Sequence, residues 1–189
     1  MMARHVERSE VVDYVTYSAD VRPSFRKRIV TEVKPPRRIH LGEHVTFLFE
    51  NHDTILYQVQ EMMRVERIVR ESDILHELAT YNELLGEPGG LGCTMLIEID
   101  DEAERAEKLS AWLPLVEHLY LEVSDGTKVR ASYDERQVGQ TRLSSVQYLY
   151  FPLEGRAPVA VGCDFDSYNA RTDLTDLQRE ALEADLSES

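Results

Sequence analysis

The spacing of hydrophobic positions changes along the chain, and each change marks an element. Residues 1–20 mix polar and apolar positions without a long period and predict only a short helix near Glu10 to Tyr17. Pro23 then suits a first helical turn, Phe25, Ile29, Val30 and Val33 recur at helical spacing, and Pro35-Pro36 ends the pattern, so a short basic helix is expected. The runs RRIHL and HVTFLFE flank Gly42-Glu43, a glycine-first pair compatible with a two-residue type II′ hairpin turn. Val45, Phe47 and Phe49 share one face of the second strand, and Thr46, Leu48 and Glu50 share the other. From about Asp53 the period becomes 3.6, with Ile55, Val59, Met62, Glu66 and Val69 on one stripe and Leu56 and Met63 beside it, which predicts a helix over 53–70 capped by Asn51 or Asp53. A second helix is expected after Ser72 through DILHELATYNELL, stopped by Gly86 and Pro88, and the pair makes a helical hairpin or an L.

Beyond a loop at EPGGLG, the segments CTMLIEI, HLYLEVS, TKVRASY, SSVQYLYFPL and PVAVG read as strands, with the Asp-Gly of SDGT making a tight turn. The run DDEAERAEKLSAWL interrupts them as a helix capped by Asp100 or Asp101 and followed by Pro114. The capping box Thr175-Asp176-Leu177-Gln178 opens a last helix, TDLQREALEADL. The alternating strand-helix rhythm of a doubly wound sheet is missing, so the expected class is α+β, with N-terminal helices and a helical hairpin packed on a mainly antiparallel sheet. One domain over 1–189 is expected, helix-rich over 1–86, sheet-rich over 91–163, with a C-terminal helix over 175–186.

The 189 residues and 42% apolar content allow one sizeable core. No apolar run approaches the roughly 18 residues of a spanning helix and the first residues lack an apolar signal region, so a soluble cytoplasmic protein is expected. Cys93 and Cys163 have no CxxC spacing and read as small hydrophobes. A net charge of −14 argues against a nucleic-acid ligand. The charge is uneven: residues 1–40 carry nine Lys+Arg against five Asp+Glu. Between Arg22 and Arg38, seven cations (Arg22, Arg26, Lys27, Arg28, Lys34, Arg37, Arg38) face only Glu32, which suits an acidic partner, a phosphate, or the protein's own acidic surface.

Glu66 lies in the middle of an apolar stripe, where an ionised carboxylate needs a counter-charge, a metal or a proton; the expected partner is Arg26, Arg28, Arg37 or Arg38. Thr54, Gln58 and Glu61 form a polar ridge on the same helix, either lining a pocket or facing solvent. Four of the six histidines, His40, His44, His52 and His76, fall within 37 residues, but no HExxH or Glu-x-x-His pair accompanies them. Tyr133, Asp134, Glu135 and Arg136 end a strand in a loop, with an internal Asp-Arg pair the simplest reading. No nucleophile motif is visible, which leaves catalytic residues, cofactors and oligomeric state open.

The run FENHDTILYQVQEMMRVERI, with RRIHLGEHVTFL before it and HELATYNELL after it, resembles the bacterial family catalogued as domain of unknown function 3501. The matching positions are Glu50, Asn51, Thr54, Gln58, Gln60, Glu61, Arg64 and Glu66, with Phe49 and Met62, then Tyr81 and Asn82, then Tyr133, Asp134 and Glu135. Where the family has an Asp-His pair near the C-terminus, this chain has Asp164-Phe165. The resemblance implies an accessory part in iron or peroxide metabolism, because members are encoded near rubrerythrin-like proteins and iron-sulfur oxidoreductases. Two functions are therefore expected. The first is a non-catalytic docking protein that presents helix 53–70 and the basic segment to a redox or iron-handling partner. The second is an iron or manganese site built from Glu66, Glu61 and Glu50 with a histidine such as His76.

Overall fold

The computed structural model describes residues 5–19 and 23–187, and Arg22 of the basic segment lies outside them. The described residues form α-helices α1 (Tyr14–Ser18), α2 (Pro23–Arg28), α3 (His52–Glu66), α4 (Glu71–Asn82), α5 (Glu102–Ala111) and α6 (Asp176–Ser187). Their strands are β1 (Arg38–Leu41), β2 (Val45–Phe49), β3 (Leu91–Ile97), β4 (Leu119–Val123), β5 (Lys128–Arg130), β6 (Val146–Phe151), β7 (Pro158–Phe165) and β8 (Tyr168–Asp173). The class is α+β.

The strands make two antiparallel sheets of four, ordered β1-β2-β3-β6 and β5-β4-β7-β8. Their facing side chains, among them Ile39, Phe47, Phe49, Met95, Leu121, Phe151 and Val161, fill one core, and Trp112, Leu182 and Leu186 from the flanking helices join it. Both edges are stitched. Ser132 and Tyr150 exchange backbone hydrogen bonds of 2.7 and 2.8 Å. On the opposite edge the Tyr168 hydroxyl donates to the Leu41 carbonyl and accepts from the His44 and Val45 amides. Joined at both sides, the sheets leave few open strand edges, the usual points of unwanted pairing.

A second core lies between α3, α4 and the N-terminal segment, built from Val6, Val11, Ile55, Leu56, Val59, Met63, Ile74 and Leu78. The N-terminal segment has no sheet to pair with, and two side-chain amides take the place of one. The Gln60 carbonyl oxygen accepts from the Val12 amide at 3.0 Å and its amide group donates to the Val12 carbonyl at 2.9 Å. Asn82 clasps Val6 in the same two-point way, at 2.9 and 3.0 Å. Each clamp meets backbone groups that would otherwise lack partners near the core.

Several boundaries differ from the sequence reading. The basic helix continues past α2 as a π-helical turn, Ile29–Val33, and a 3-10 turn, Pro35–Arg37. The first hairpin has a three-residue loop, since Leu41 pairs with Val45 and Gly42 adopts φ +61°. Helix α3 stops at Glu66, where Arg67 turns left-handed at φ 54°, so the segment to Arg70 is not helical. Strand β8 has no apolar alternation to announce it and exists by pairing with β7.

Candidate functional site

The expectation for Glu66 is overturned: it is exposed at the C-terminal end of α3 and meets none of the arginines proposed for it. Three of those arginines do find carboxylates. Arg26 donates to Glu61 at 2.7 Å, Arg28 to Asp53 at 2.8 Å, and Arg37 grips Asp185 of α6 through two 2.7 Å hydrogen bonds. The buried pair is therefore Arg37 with Asp185, whose side chains are 11% and 5% exposed. Asn51 also donates to Asp185, at 3.2 Å, which ties the start of α3 to the last helix.

The residues expected to bind divide among the faces of α3. Asn51 and Thr54 cap the helix reciprocally, each side chain accepting the other's backbone N–H. Gln60 is buried and committed to the N-terminal segment. Glu61 is a hub: the Tyr17 hydroxyl, Arg26 and Arg64 all donate to it. Burial alone would raise its pKa, but bonds from Arg64, Tyr17 and Arg26 outweigh that and hold the carboxyl below its ordinary value. Gln58 lies on another face, at the Tyr81 hydroxyl. Thus Asn51, Thr54, Gln60, Glu61 and Arg64 fasten the helical layer together, and their hydrogen-bonding capacity is largely spent there.

Glu50 is the exception. It sits deep in the molecule yet keeps part of its surface open to solvent, and its carboxylate accepts from the Thr54 and Thr94 hydroxyls at 2.6 and 2.8 Å. Burial raises its pKa, and the two hydroxyls and the nearby Lys34 charge reverse this only in part. Burial likewise lowers the pKa of Lys34, against the pull of Glu50; its ammonium rests 4.5 Å from the centre of the Tyr57 ring. A carboxyl with a raised pKa binds more protons folded than unfolded between its two pKa values. Its contribution to stability is therefore best below the unfolded value and falls as pH rises through the folded one. Glu50→Gln removes that cost, so the variant is expected to melt above wild type near pH 8 and to lose the advantage as pH falls through the raised value towards about 4.5. Thermal melts across that range check it; a variant less stable than wild type near pH 8 would show that the charge is needed by the fold.

The carboxylates of the metal alternative do not converge. Glu50 and Glu61 are engaged as described, Glu66 is exposed, and His76 is exposed on α4. Among the described residues no three His, Cys, Asp or Glu are placed to hold an ion. His40 bonds Thr46 and His44 approaches Lys108, while His52 meets Glu10. At Asp164-Phe165 an imidazole does stand nearby, but from another strand end: His118 lies 3.2 Å from Asp164 and its ring 5.3 Å from that of Phe165.

Other residues gather without having been singled out together. A cleft of about 460 Å³ runs between the end of α4 and β6, lined by Tyr81, Tyr133, Asp134, Tyr148 and Tyr150. Tyr81 and Tyr133 are 52 positions apart, and the edge seam at Ser132 and Tyr150 draws the Tyr133 loop onto β6. Asp185 carries no pattern signal as an acid in a polar tail, and Lys34 stands out in the sequence only as one cation of the basic segment.

No helix among the described residues is long and apolar enough to cross a membrane. No curated protein matches the chain. Among solved structures, a crystal structure at 1.90 Å of a novel protein of unknown function from Burkholderia pseudomallei is similar, with 28% sequence identity and a TM-score of 0.86, covering 97% of this chain and 100% of that one. The chain matches, over residues 5–186, the family described as protein of unknown function (DUF3501), and it belongs to that family.

Proposed function

We propose that the protein is a non-catalytic accessory factor, acting in the cytoplasm, that docks a redox or iron-handling protein through the tip of its α3–α4 hairpin. One observation carries the reading. Val65, Val69 and Leu75 are 65%, 70% and 48% exposed within eleven residues, with the exposed Arg67 and Arg70 and the exposed Glu66, Glu71 and Asp73 among them. Clustered apolar side chains ringed by charge of both signs are the usual make-up of a contact surface.

The backbone supports the same place. Arg67 occupies the left-handed position that closes α3, with its N–H and that of Ile68 both reaching the Met63 carbonyl. Glycine fits that conformation best, and a side chain there costs about 1 kcal/mol. A costly residue at an exposed turn is accounted for if its guanidinium is used. The surface lies beyond Glu61 and Arg64, which are occupied internally.

The test is a photo-reactive amino acid placed at Val69 in the native cell, with the equally exposed Leu177 of α6 as control (70% and 71%). Val69 is expected to capture one protein that carries iron or another redox centre, and Leu177 not to. Equal capture at both positions, or a Val69 partner without a redox centre, would remove the proposal.

A further inference from the structure

We propose that the cleft between α4 and β6, lined by Tyr81, Tyr133, Tyr148 and Tyr150 together with Glu83, binds a small organic cation with an alkylated ammonium head. This site is separate from the hairpin tip and does not depend on it. Aromatic rings attract a cation through the negative charge of their faces, and several rings around one cavity make the usual receptor for an ammonium whose methyl groups replace its hydrogen-bond donors. A cavity of about 460 Å³ is of the size that holds a small molecule.

The cleft is built rather than incidental. Tyr150 is fixed as its wall: the hydroxyl donates to the Glu87 carbonyl at 3.0 Å, and a Cβ at Gly90 would stand 2.2 Å from that hydroxyl. Glycine at this position lets the ring lie against the backbone. Gln137 holds the same strand two residues earlier, accepting from the Tyr148 amide at 2.7 Å and donating to its carbonyl at 2.8 Å. The Tyr133 and Tyr148 hydroxyls make no hydrogen bond within the described residues, which leaves them available to a guest or to water.

The electrostatics are mainly negative. Arg136 clasps both oxygens of Asp134 and is also felt by Glu83, so that cation offsets part of the acidic charge beside the cleft. Glu83 lines the cavity, and negative charge from Glu66 and Glu77 is felt at Tyr81, from Glu117 and Glu135 at Tyr133, and from Glu87 at Tyr150. An anion would meet repulsion from most directions, whereas a neutral guest would gain nothing from this arrangement.

Choline and its uncharged isostere 3,3-dimethylbutan-1-ol separate charge from shape. In an NMR titration of the full chain that follows tyrosine ring signals, choline is expected to saturate and the isostere to bind at least about tenfold more weakly. Tyr148 is 46% exposed, so Tyr148→Ala should keep the wild-type melting temperature while weakening choline about tenfold, and Tyr148→Phe should keep most of the binding. Absence of saturation, equal binding of the isostere, or undiminished binding to a folded Tyr148→Ala variant would each overturn the proposal. None of these results bears on capture at Val69.

Discussion

Asp185→Ala is expected to cost about 3 to 5 kcal/mol, because it leaves the Arg37 guanidinium buried without a counter-charge. For a chain of this length that is a fall in melting temperature of roughly 6 to 20 °C. Three features put this pair among the largest single contributions. The contact is bidentate, at 2.7 Å on both sides. The third guanidinium nitrogen donates to the Val33 carbonyl at 2.9 Å, so the cation is well satisfied only while the carboxylate is present. Asp185 also accepts from Asn51, so its loss loosens the start of α3. The double variant Arg37→Met/Asp185→Ala should recover much of the loss, since a buried ion pair replaced by apolar groups is often neutral. Melting within a degree or two of wild type for Asp185→Ala alone would mean that α6 is not fastened in this way.

Gly92→Ala is expected to be comparably damaging, at about 3 kcal/mol. A Cβ on Gly92 of β3 would stand 1.6 Å from the Leu84 carbonyl oxygen, and that oxygen belongs to backbone that cannot rotate aside. The short turn after α4 rests directly on the strand at this point, and the contact sets the distance between the helical layer and the first sheet. Within a strand, glycine to alanine is otherwise favourable by roughly 0.5 to 1 kcal/mol, so the sign of the effect is itself diagnostic. A denaturant midpoint unchanged or raised in Gly92→Ala would contradict the close approach.

Much of this fold was legible in the sequence because its signals are local. The capping box at Thr175 and Gln178 forms as expected, with a 2.9 Å bond from the Thr175 amide to the Gln178 side chain. The alternation in β2 and the 3.6 period in α3 also identify the elements that form. Glu66 shows where such signals end. The buried side of α3 runs through Ile55, Val59 and Met63, whereas the wheel draws the stripe through Met62 and onward through Glu66 to Val69. The chain leaves the helix at Arg67 instead, and no glycine marks the turn. The residues past it therefore look like core in sequence and are surface in space. Strand β8 was hidden for the opposite reason, since its burial alternates only between half-buried and exposed. Gln60 and Asn82 stood out within a matching motif, but their task depends on an N-terminal segment returning from 48 and 76 positions away, which no spacing rule reveals.

The central claim is that the marked residues of α3 mostly hold the molecule together, whereas the exposed hairpin tip makes the external contact. Photo-capture at Val69 combined with melting temperature tests it directly, in Gln60→Ala and in Arg67→Gly. Gln60→Ala should melt lower, because it releases the Val12 clamp, and should still capture the same redox protein. Arg67→Gly should melt higher, by the equivalent of about 1 kcal/mol, and should capture markedly less. The reverse pattern, with capture lost in a stable Gln60→Ala and unchanged in Arg67→Gly, would place the working surface on the helix motif and contradict the account.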